Sequence, residues 1–93
     1  MKIELRPCKF KVKPTLIRQI NKCEEEHQEF KRAILKGDID NAIEEFYDDI
    51  QVKINTLRML DIPLEIIVNG QSKHFSKLVK RGWSFEEDIQ HWI

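Results

Sequence analysis

The chain has few cysteines and no long apolar run, and each shortage argues against a class of protein. Two cysteines in 93 residues, with no histidine at a zinc-ligand spacing from them, do not indicate a disulfide framework or a structural zinc. No apolar run approaches the roughly 18–20 residues of a membrane span, and no signal peptide opens the chain. We therefore expect a cytoplasmic protein that has no membrane partner.

Net charge is also lacking, since 16 Lys and Arg balance 16 Asp and Glu. A chain without net charge argues against non-specific electrostatic binding to a nucleic-acid polymer. The charges are nevertheless segregated, with seven bases and one acid in residues 1–23 but three bases and ten acids in residues 24–49. This distribution suits a site that holds cations together with a polyanion, although neutralisation within the molecule would also account for it.

Residues 1–13 alternate apolar and charged side chains around Pro7 and predict an extended basic arm or a short edge strand. Its lysines are Lys9, Lys11 and Lys13, which would either meet phosphates or form a solvated face. The rest of the chain reads as helix. The 93 residues therefore predict a single all-α domain, a small antiparallel helical bundle whose limited core is completed by oligomerisation.

Two long helices are predicted over residues 14–36 and 39–60. Gly37 suits the C-terminal break of the first helix, and Asp38 suits the N-cap of the second. Apolar side chains of the first helix recur at alternating spacings of four and three residues, which predicts that Cys23 and His27 are packed. This first apolar seam consists of Leu16, Ile20, Cys23, His27, Phe30 and Ile34.

The second predicted helix carries two rows with the same alternation. The second apolar seam consists of Ile39, Ile43, Phe46, Ile50, Leu57 and Leu60. The opposite row, here the carboxylate row, consists of Glu45, Asp48, Val52, Asn55 and Met59. Val and Met in register with two carboxylates indicate that this row packs as well, and we expect it to meet a helix of another subunit.

The first helix has a matching polar row, made of Gln19, Lys22, Glu26, Glu29 and Ala33. Because Lys22 precedes Glu26 by four residues, the two side chains can pair on a solvated face. A third helix is predicted over residues 64–80, with a stop at Gly82. The capping pattern of Ser84 and Glu87 predicts a short last helix over residues 85–92.

Glu26 with Glu29, and Glu45 with Asp48, are acidic pairs at helical spacing on consecutive antiparallel helices. Residues three apart share a helix face, so each pair can direct its oxygens at one ion. Fifteen residues separate Glu29 from Glu45, which lets the pairs lie side by side across the turn. Four carboxylates on a packing face repel each other unless a cation neutralises them. The pattern predicts a cage for a hard cation, Mg²⁺ or else Mn²⁺.

The segments Glu25-Glu26-His-Gln-Glu29 and Glu45-Phe-Tyr-Asp48 resemble the E-E-x-x-E … E-x-x-D signature of MazG-like all-α nucleoside triphosphate pyrophosphohydrolases. The basic segment that ends at Arg81-Gly-Trp is similar to that of the same family. The resemblance implies a bundle assembled as a homodimer or homotetramer, with Mg²⁺ held by the four carboxylates. It also implies hydrolysis of a nucleoside triphosphate to the monophosphate and pyrophosphate.

Given such a reaction, we expect catalytic or substrate-binding roles for further residues near the four carboxylates. Glu25 would orient or deprotonate the attacking water, or else be an exposed Glu without a role. Asn55 would bind the sugar or base, or else make a polar contact in an interface. A phosphate clamp, or else a solvated basic face, is expected from Lys73, Lys77 and Arg81. For Tyr47 and Trp83, burial is favoured over base stacking.

The competing class is a non-enzymatic helical interaction module with acidic packing seams. It predicts no stabilisation by divalent cations, whereas the cage predicts that Mg²⁺ raises the melting temperature. A related pyrophosphohydrolase acting on a phosphoribosyl nucleotide or on dUTP is a further alternative within the fold.

Overall fold

The computed structural model describes residues 3–86, and within that range the protein is all-helical and has no strand. The helices are α1 (Leu16–Lys36), α2 (Ile39–Met59) and α3 (Leu64–Lys80). The all-α class is confirmed, and each bound lies within two residues of its prediction. The last predicted helix, over residues 85–92, falls from residue 87 onward outside the described residues. No helix in the described part is both long and apolar enough to cross a membrane.

The turn between α1 and α2 follows the predicted cap chemistry. Gly37 has φ 69°, a left-handed conformation that glycine adopts without a Cβ penalty. The amide of Gly37 donates to the Ile34 carbonyl, and the amide of Asp38 donates to the Ala33 carbonyl, both at 3.1 Å. Asp38 Oδ1 then accepts from the Asn41 amide at 3.2 Å and caps α2. So short a turn places α1 and α2 antiparallel.

The chain divides into two compact units. One consists of Leu5–Leu60, and the other consists of Met1–Glu4 together with Asp61–Ile93. The first unit contains most of the arm together with α1 and α2. The second contains α3, which runs through Gly70 without a break and ends before Gly82, whose φ is 90°. The rings of Phe75 and Phe85 meet edge to face with centroids 5.0 Å apart in that unit. One domain over residues 1–93 stays a prediction.

The polar row of α1 is the row that packs on α2. Gln19, Glu26 and Ala33 are the buried residues of α1. The Gln19 side-chain amide donates to Thr56 Oγ1 at 3.0 Å and to the Val52 carbonyl at 3.4 Å. This row is therefore not a solvated face. It also places a carboxylate, that of Glu26, in the buried contact between α1 and α2.

The carboxylate row of α2 finds its neighbours within the same chain. Val52 is contacted by Gln19 of α1, and Asn55 Oδ1 accepts from the Cys8 amide of the arm at 2.9 Å. Val52 and Asn55 thus have partners within the chain, and the contact of this row with a helix of another subunit stays a prediction. The arm forms no strand in its described residues, and its Lys9, Lys11 and Lys13 are exposed, so phosphate contact and a solvated face both stay predictions.

The two apolar seams, by contrast, are largely uncovered within the chain. Ile20, Ile34 and Ile43 are each more than half exposed. His27 is exposed and Cys23 is only partly buried, so the predicted packing of both is not realised within this chain. The buried apolar residues of the described chain are Ala33, Ala42 and Ile54. Such a core is very small for a folded domain.

Candidate metal centre

Glu26 and Glu29 lie one turn apart on the face of α1 that packs on α2. Glu26 is 6 % exposed, which is unusual for a residue that is almost never buried unless it is paired. Its Oε1 lies 3.0 Å from the Lys22 ammonium. Its Oε2 is buried and has no hydrogen-bond partner among the described residues. One oxygen of Glu26 is thus neutralised, and the other remains available to a ligand.

Glu45 comes to the same place from α2. Oxygens of Glu26, Glu29 and Glu45 all lie within 4.8 Å of one another. Glu45 is half-buried, and its Oε2 also has no hydrogen-bond partner within residues 3–86. Three of the four predicted ligands therefore converge, and two of them present buried oxygens that the protein itself does not satisfy.

The electrostatics of this cluster favour a proton or a cation. Burial raises the pKa of Glu45, and hydrogen bonding to Glu29 raises it further. The negative charges of Glu29, Asp48 and Glu26 act in the same direction. A carboxyl whose neighbours are carboxylates resists ionisation unless positive charge is brought to it. A proton or a cation placed among these carboxylates would therefore relieve their mutual repulsion.

Asp48 stands apart from the convergent group of three. It is half-buried and close enough for its charge to raise the pKa of Glu45. Its oxygens are not among those that lie within 4.8 Å of one another. Asp48 as a fourth ligand stays a prediction.

Asp49 is a half-buried carboxylate that the sequence pattern did not single out. Its Oδ2 lies 3.1 Å from the Lys53 ammonium, while its Oδ1 is buried without a partner in the described chain. The sequence did contain a signal for this ion pair. Lys53 follows Asp49 by four residues and is the one polar residue in the second apolar seam, between Ile50 and Leu57. The spacing is that of a common helix-surface ion pair.

Glu25, the predicted base, is exposed on α1 next to the centre. Its Oε1 lies 3.5 Å from the Lys22 ammonium, which also pairs with Glu26. Lys22 thus lies between the two carboxylates, and both raise its pKa, chiefly through the hydrogen bond to Glu26. Sequence reasoning treated Lys22 only as a possible partner of Glu26, whereas it also holds Glu25.

Asn55 holds the N-terminal arm. Its Oδ1 accepts from the Cys8 amide at 2.9 Å and from the Gln51 side-chain amide at 3.0 Å. Gln51 also donates to the Arg6 carbonyl at 2.7 Å. Gln51 was not predicted as a functional residue, and nothing local marks it, because the residues it joins are far apart in sequence. A substrate contact of Asn55 would have to use its amide nitrogen.

The predicted phosphate-binding residues lie on the other unit. Lys73 and Lys77 are exposed at a spacing of four on α3, and Arg81 is its exposed C-cap. Tyr47 and Trp83 are 48 % and 66 % exposed, so the predicted burial of these two aromatic residues is wrong. All five side chains are accessible to a ligand.

A scan against protein-family models and searches of curated proteins and solved structures find no match for this chain. The interpretation of the centre therefore depends on its own geometry together with the signature resemblance described above.

The donor set fits a hard divalent cation. Carboxylate oxygens are the ligands that Mg²⁺ and Mn²⁺ prefer, and the three residues come from two helices that are fixed by a tight turn. The two unsatisfied buried oxygens, on Glu26 and Glu45, are an observation independent of the clustering itself. Buried polar atoms are normally hydrogen-bonded, so unsatisfied ones facing like charges indicate a position for a cation.

Proposed function

We propose that this protein is a Mg²⁺-dependent nucleoside triphosphate pyrophosphohydrolase of the MazG-like type, acting on an NTP or dNTP. The observation that carries the proposal is the convergence of Glu26, Glu29 and Glu45 with buried oxygens left unsatisfied. The order and spacing of these residues, together with Asp48, resemble the MazG-like signature.

In this proposal Glu26, Glu29 and Glu45 hold the cation, and Asp48 completes the set. Mn²⁺ is expected to replace Mg²⁺, since it prefers the same oxygen ligands. When bound, the ion would neutralise phosphate charge and lower the pKa of a coordinated water. The residues of α1 and α2 fix the position at which this chemistry is available.

The reaction is attack of water on the α-phosphorus, which releases pyrophosphate and leaves the nucleoside monophosphate. Glu25 would accept the proton of the attacking water, and Lys22 restrains its carboxylate. Lys22 also pairs with Glu26, so it lies within reach of both the proposed base and one proposed ligand residue.

Substrate contacts are assigned to exposed groups outside the cluster. Lys73, Lys77 and Arg81 stay the predicted phosphate-binding residues, Arg81 through its planar fork and the lysines as point charges. Asn55 would donate its amide nitrogen to a sugar or base oxygen. Base and sugar preference then depends on which nucleotides fit these donors, and a phosphoribosyl nucleotide or dUTP falls within the range to be tested.

A panel of canonical and modified nucleotides with Mg²⁺ tests this proposal through pyrophosphate release. Glu45→Gln keeps the shape of the side chain and removes its charge, and it should lower release by about 10²-fold or more. Glu44→Gln is the matched control, because Glu44 is exposed on the same helix. Pyrophosphate release that is equally weak in the wild type and in Glu45→Gln would contradict the proposal that this protein is an enzyme.

The second candidate is a non-enzymatic helical interaction module, and the exposed apolar seams of α1 and α2 favour it. The two functions differ in their response to divalent ions. The metal centre predicts that millimolar Mg²⁺ raises the melting temperature of the wild type. The module predicts no change. Assembly as a homodimer or homotetramer is compatible with both.

A further inference from the structure

Two side-chain amides of α2 bind the backbone of the N-terminal arm. Gln51 Nε2 donates to the Arg6 carbonyl at 2.7 Å, and Asn55 Oδ1 accepts from the Cys8 amide at 2.9 Å. Gln51 Nε2 also donates to Asn55 Oδ1 at 3.0 Å. Because Gln51 and Asn55 lie four residues apart, they share a helix face and act as one hydrogen-bonded pair toward the arm.

The backbone of the arm determines which atom of each side-chain amide faces it. A carbonyl oxygen only accepts, so the Gln51 atom at the Arg6 carbonyl must be nitrogen. A backbone N–H only donates, so the Asn55 atom at the Cys8 amide must be oxygen. A flipped amide would set donor against donor or acceptor against acceptor. The orientation of the Asn55 amide is therefore fixed by the arm and by Gln51.

These contacts leave Asn55 with free donors and no free acceptor. Both hydrogens of Gln51 Nε2 have acceptors, and both lone pairs of Asn55 Oδ1 have donors. Asn55 Nδ2, by contrast, has no hydrogen-bond partner in the described chain, and the residue is only half-buried. A molecule bound beside Asn55 therefore meets two N–H donors.

Asn55 belongs to the carboxylate row that also carries Glu45 and Asp48. It follows Asp48 by seven residues, which is two helical turns or about 10 Å along α2. The carboxylates of Glu26, Glu29 and Glu45 mark the position for the cation. A nucleotide that is bound through its phosphates at this position carries its base at a comparable distance from them. The free donors of Asn55 are thus placed to meet the base.

A donor without an acceptor distinguishes one base edge from another. Thymine, uracil and guanine carry a carbonyl oxygen at the ring position where cytosine and adenine carry an amino group. The oxygen can accept from Asn55 Nδ2, whereas an amino group would face it with further hydrogens and leave the donors unpaired. Sugar hydroxyls both donate and accept, so a fixed amide would not discriminate through them.

We propose that the N-terminal arm belongs to the substrate site, where its backbone fixes Asn55 as a donor that selects nucleotides with a carbonyl oxygen on the base. Asn55 determines the specificity, and Gln51 and the Cys8 amide are its positioning groups. This assignment rests on the proposed function for the nucleotide and names the class of base. It gives a role to the arm, which lies outside the segments that resemble the MazG-like signature.

UTP and CTP test the assignment, because they differ only on the base edge that carries an oxygen in UTP and an amino group in CTP. With Mg²⁺, kcat/KM for pyrophosphate release should be about 10-fold or more higher for UTP. Asn55→Asp keeps an oxygen for the Cys8 amide and for Gln51 but replaces the free donor by an acceptor. The added charge acts on both nucleotides alike, so the ratio should reverse in favour of CTP. A folded, active Asn55→Asp with an unchanged ratio overturns the proposal.

Gln51→Leu tests the positioning role. The change removes one of the two donors to Asn55 Oδ1, so the preference for UTP should fall several-fold while kcat with UTP changes little. Gln28→Leu is the matched control, because Gln28 donates to Glu24 on the same helix, α1, and it should keep the preference. If Gln51 only holds the arm, Gln51→Leu lowers stability and leaves the preference intact, which would refute its positioning role.

Equilibrium binding separates this assignment from the proposed function. Titration calorimetry with UTP and with CTP in Mg²⁺ gives the ratio of the two dissociation constants without any need for turnover. A protein that releases no pyrophosphate but prefers UTP, and loses that preference in Asn55→Asp, would contradict the enzyme and support the assignment. Pyrophosphate release with the same ratio in the wild type and in Asn55→Asp would do the opposite. Binding of neither nucleotide overturns the assignment.

Discussion

Lys22 and Glu26 form the only ion pair of the described chain in which the carboxylate is almost fully buried. The ammonium lies 3.0 Å from Oε1, and Oε2 of the same carboxylate is buried without a partner in residues 3–86. The pair thus neutralises part of a buried carboxylate that lies close to Glu29 and Glu45. Lys22 stabilises the metal-free centre and at the same time opposes the entry of a second positive charge.

Replacement of Lys22 by Met should therefore have opposite effects on stability and on metal affinity. The metal-free protein should lose about 0.5–1 kcal/mol, since the ammonium is half exposed and its interaction is screened. Mg²⁺ should bind several-fold more tightly, because a repelling charge is removed. Urea unfolding and Mg²⁺ titration measure the two effects.

Lys53→Met is the control for that experiment. Lys53 pairs with Asp49 at the same helical spacing, and neither residue belongs to the convergent group of three. This change should lower stability and leave Mg²⁺ affinity unaltered. Weaker Mg²⁺ binding in Lys22→Met would contradict the account, since it would show that Lys22 supports the ion.

The raised pKa of Glu45 predicts how stability depends on pH. In the unfolded chain the carboxyl titrates at its ordinary value, so the folded state binds the proton more tightly. The stabilisation from this proton is fully present below the ordinary pKa and is lost as pH rises through the raised pKa. Metal-free protein should consequently gain melting temperature through this group as pH falls through the raised pKa towards the ordinary one.

Glu45→Gln provides the comparison, because an amide does not titrate. The variant should lack this gain on acidification and otherwise follow the wild type. Mg²⁺ competes with the proton for the same carboxyl, so its stabilising effect on the wild type should shrink over the same fall in pH. An identical pH profile for the two proteins would show that Glu45 titrates normally.

Asp48 and Asp49 are neighbours in sequence with different predicted roles. Asp48→Asn should reduce the rise in melting temperature that Mg²⁺ produces, since its charge acts on Glu45. Asp49→Asn should lower the stability of the metal-free protein, because Asp49 pairs with Lys53, but should keep the Mg²⁺ effect. Thermal scans with and without the ion distinguish the two. If Asp49→Asn reduced the rise in melting temperature with Mg²⁺ and Asp48→Asn did not, the fourth ligand would be Asp49, which has an unsatisfied buried oxygen.

Asn55 is predicted to hold the arm on α2. Asn55→Ala removes the acceptor of the Cys8 amide and should cost about 1 kcal/mol. The Cys8 amide should then exchange its hydrogen faster. Gln28→Ala is a suitable control, since Gln28 bonds only to Glu24 one turn away on the same helix among the described residues. Unchanged exchange at Cys8 would mean that other contacts position the arm.

Much of the fold could be predicted because its signals are local. Gly37 and Asp38 mark the turn by their conformational and capping preferences, and they fix which helices run antiparallel. The acidic pairs followed from helical spacing, and three of their four members do converge. Each of these inferences needed only residues close to one another in sequence.

The choice of packing row could not be predicted in the same way. Periodicity identified a polar row and an apolar seam on α1, and the apolar seam was the natural candidate for burial. The structure instead buries Gln19 and Glu26. Their neighbours on α2 are the Thr56 hydroxyl and the Val52 carbonyl for Gln19, and Glu45 for Glu26. The arm is held by Gln51 and Asn55, more than forty residues away, and no local pattern reports such a contact.

Hydrolysis of a nucleotide panel in ¹⁸O-water with Mg²⁺ tests whether the protein is a pyrophosphohydrolase. We expect pyrophosphate release that stops when the ion is chelated, with the ¹⁸O label in the monophosphate, since water attacks the α-phosphorus. Unlabelled monophosphate, or no pyrophosphate from any nucleotide with either Mg²⁺ or Mn²⁺, would contradict it.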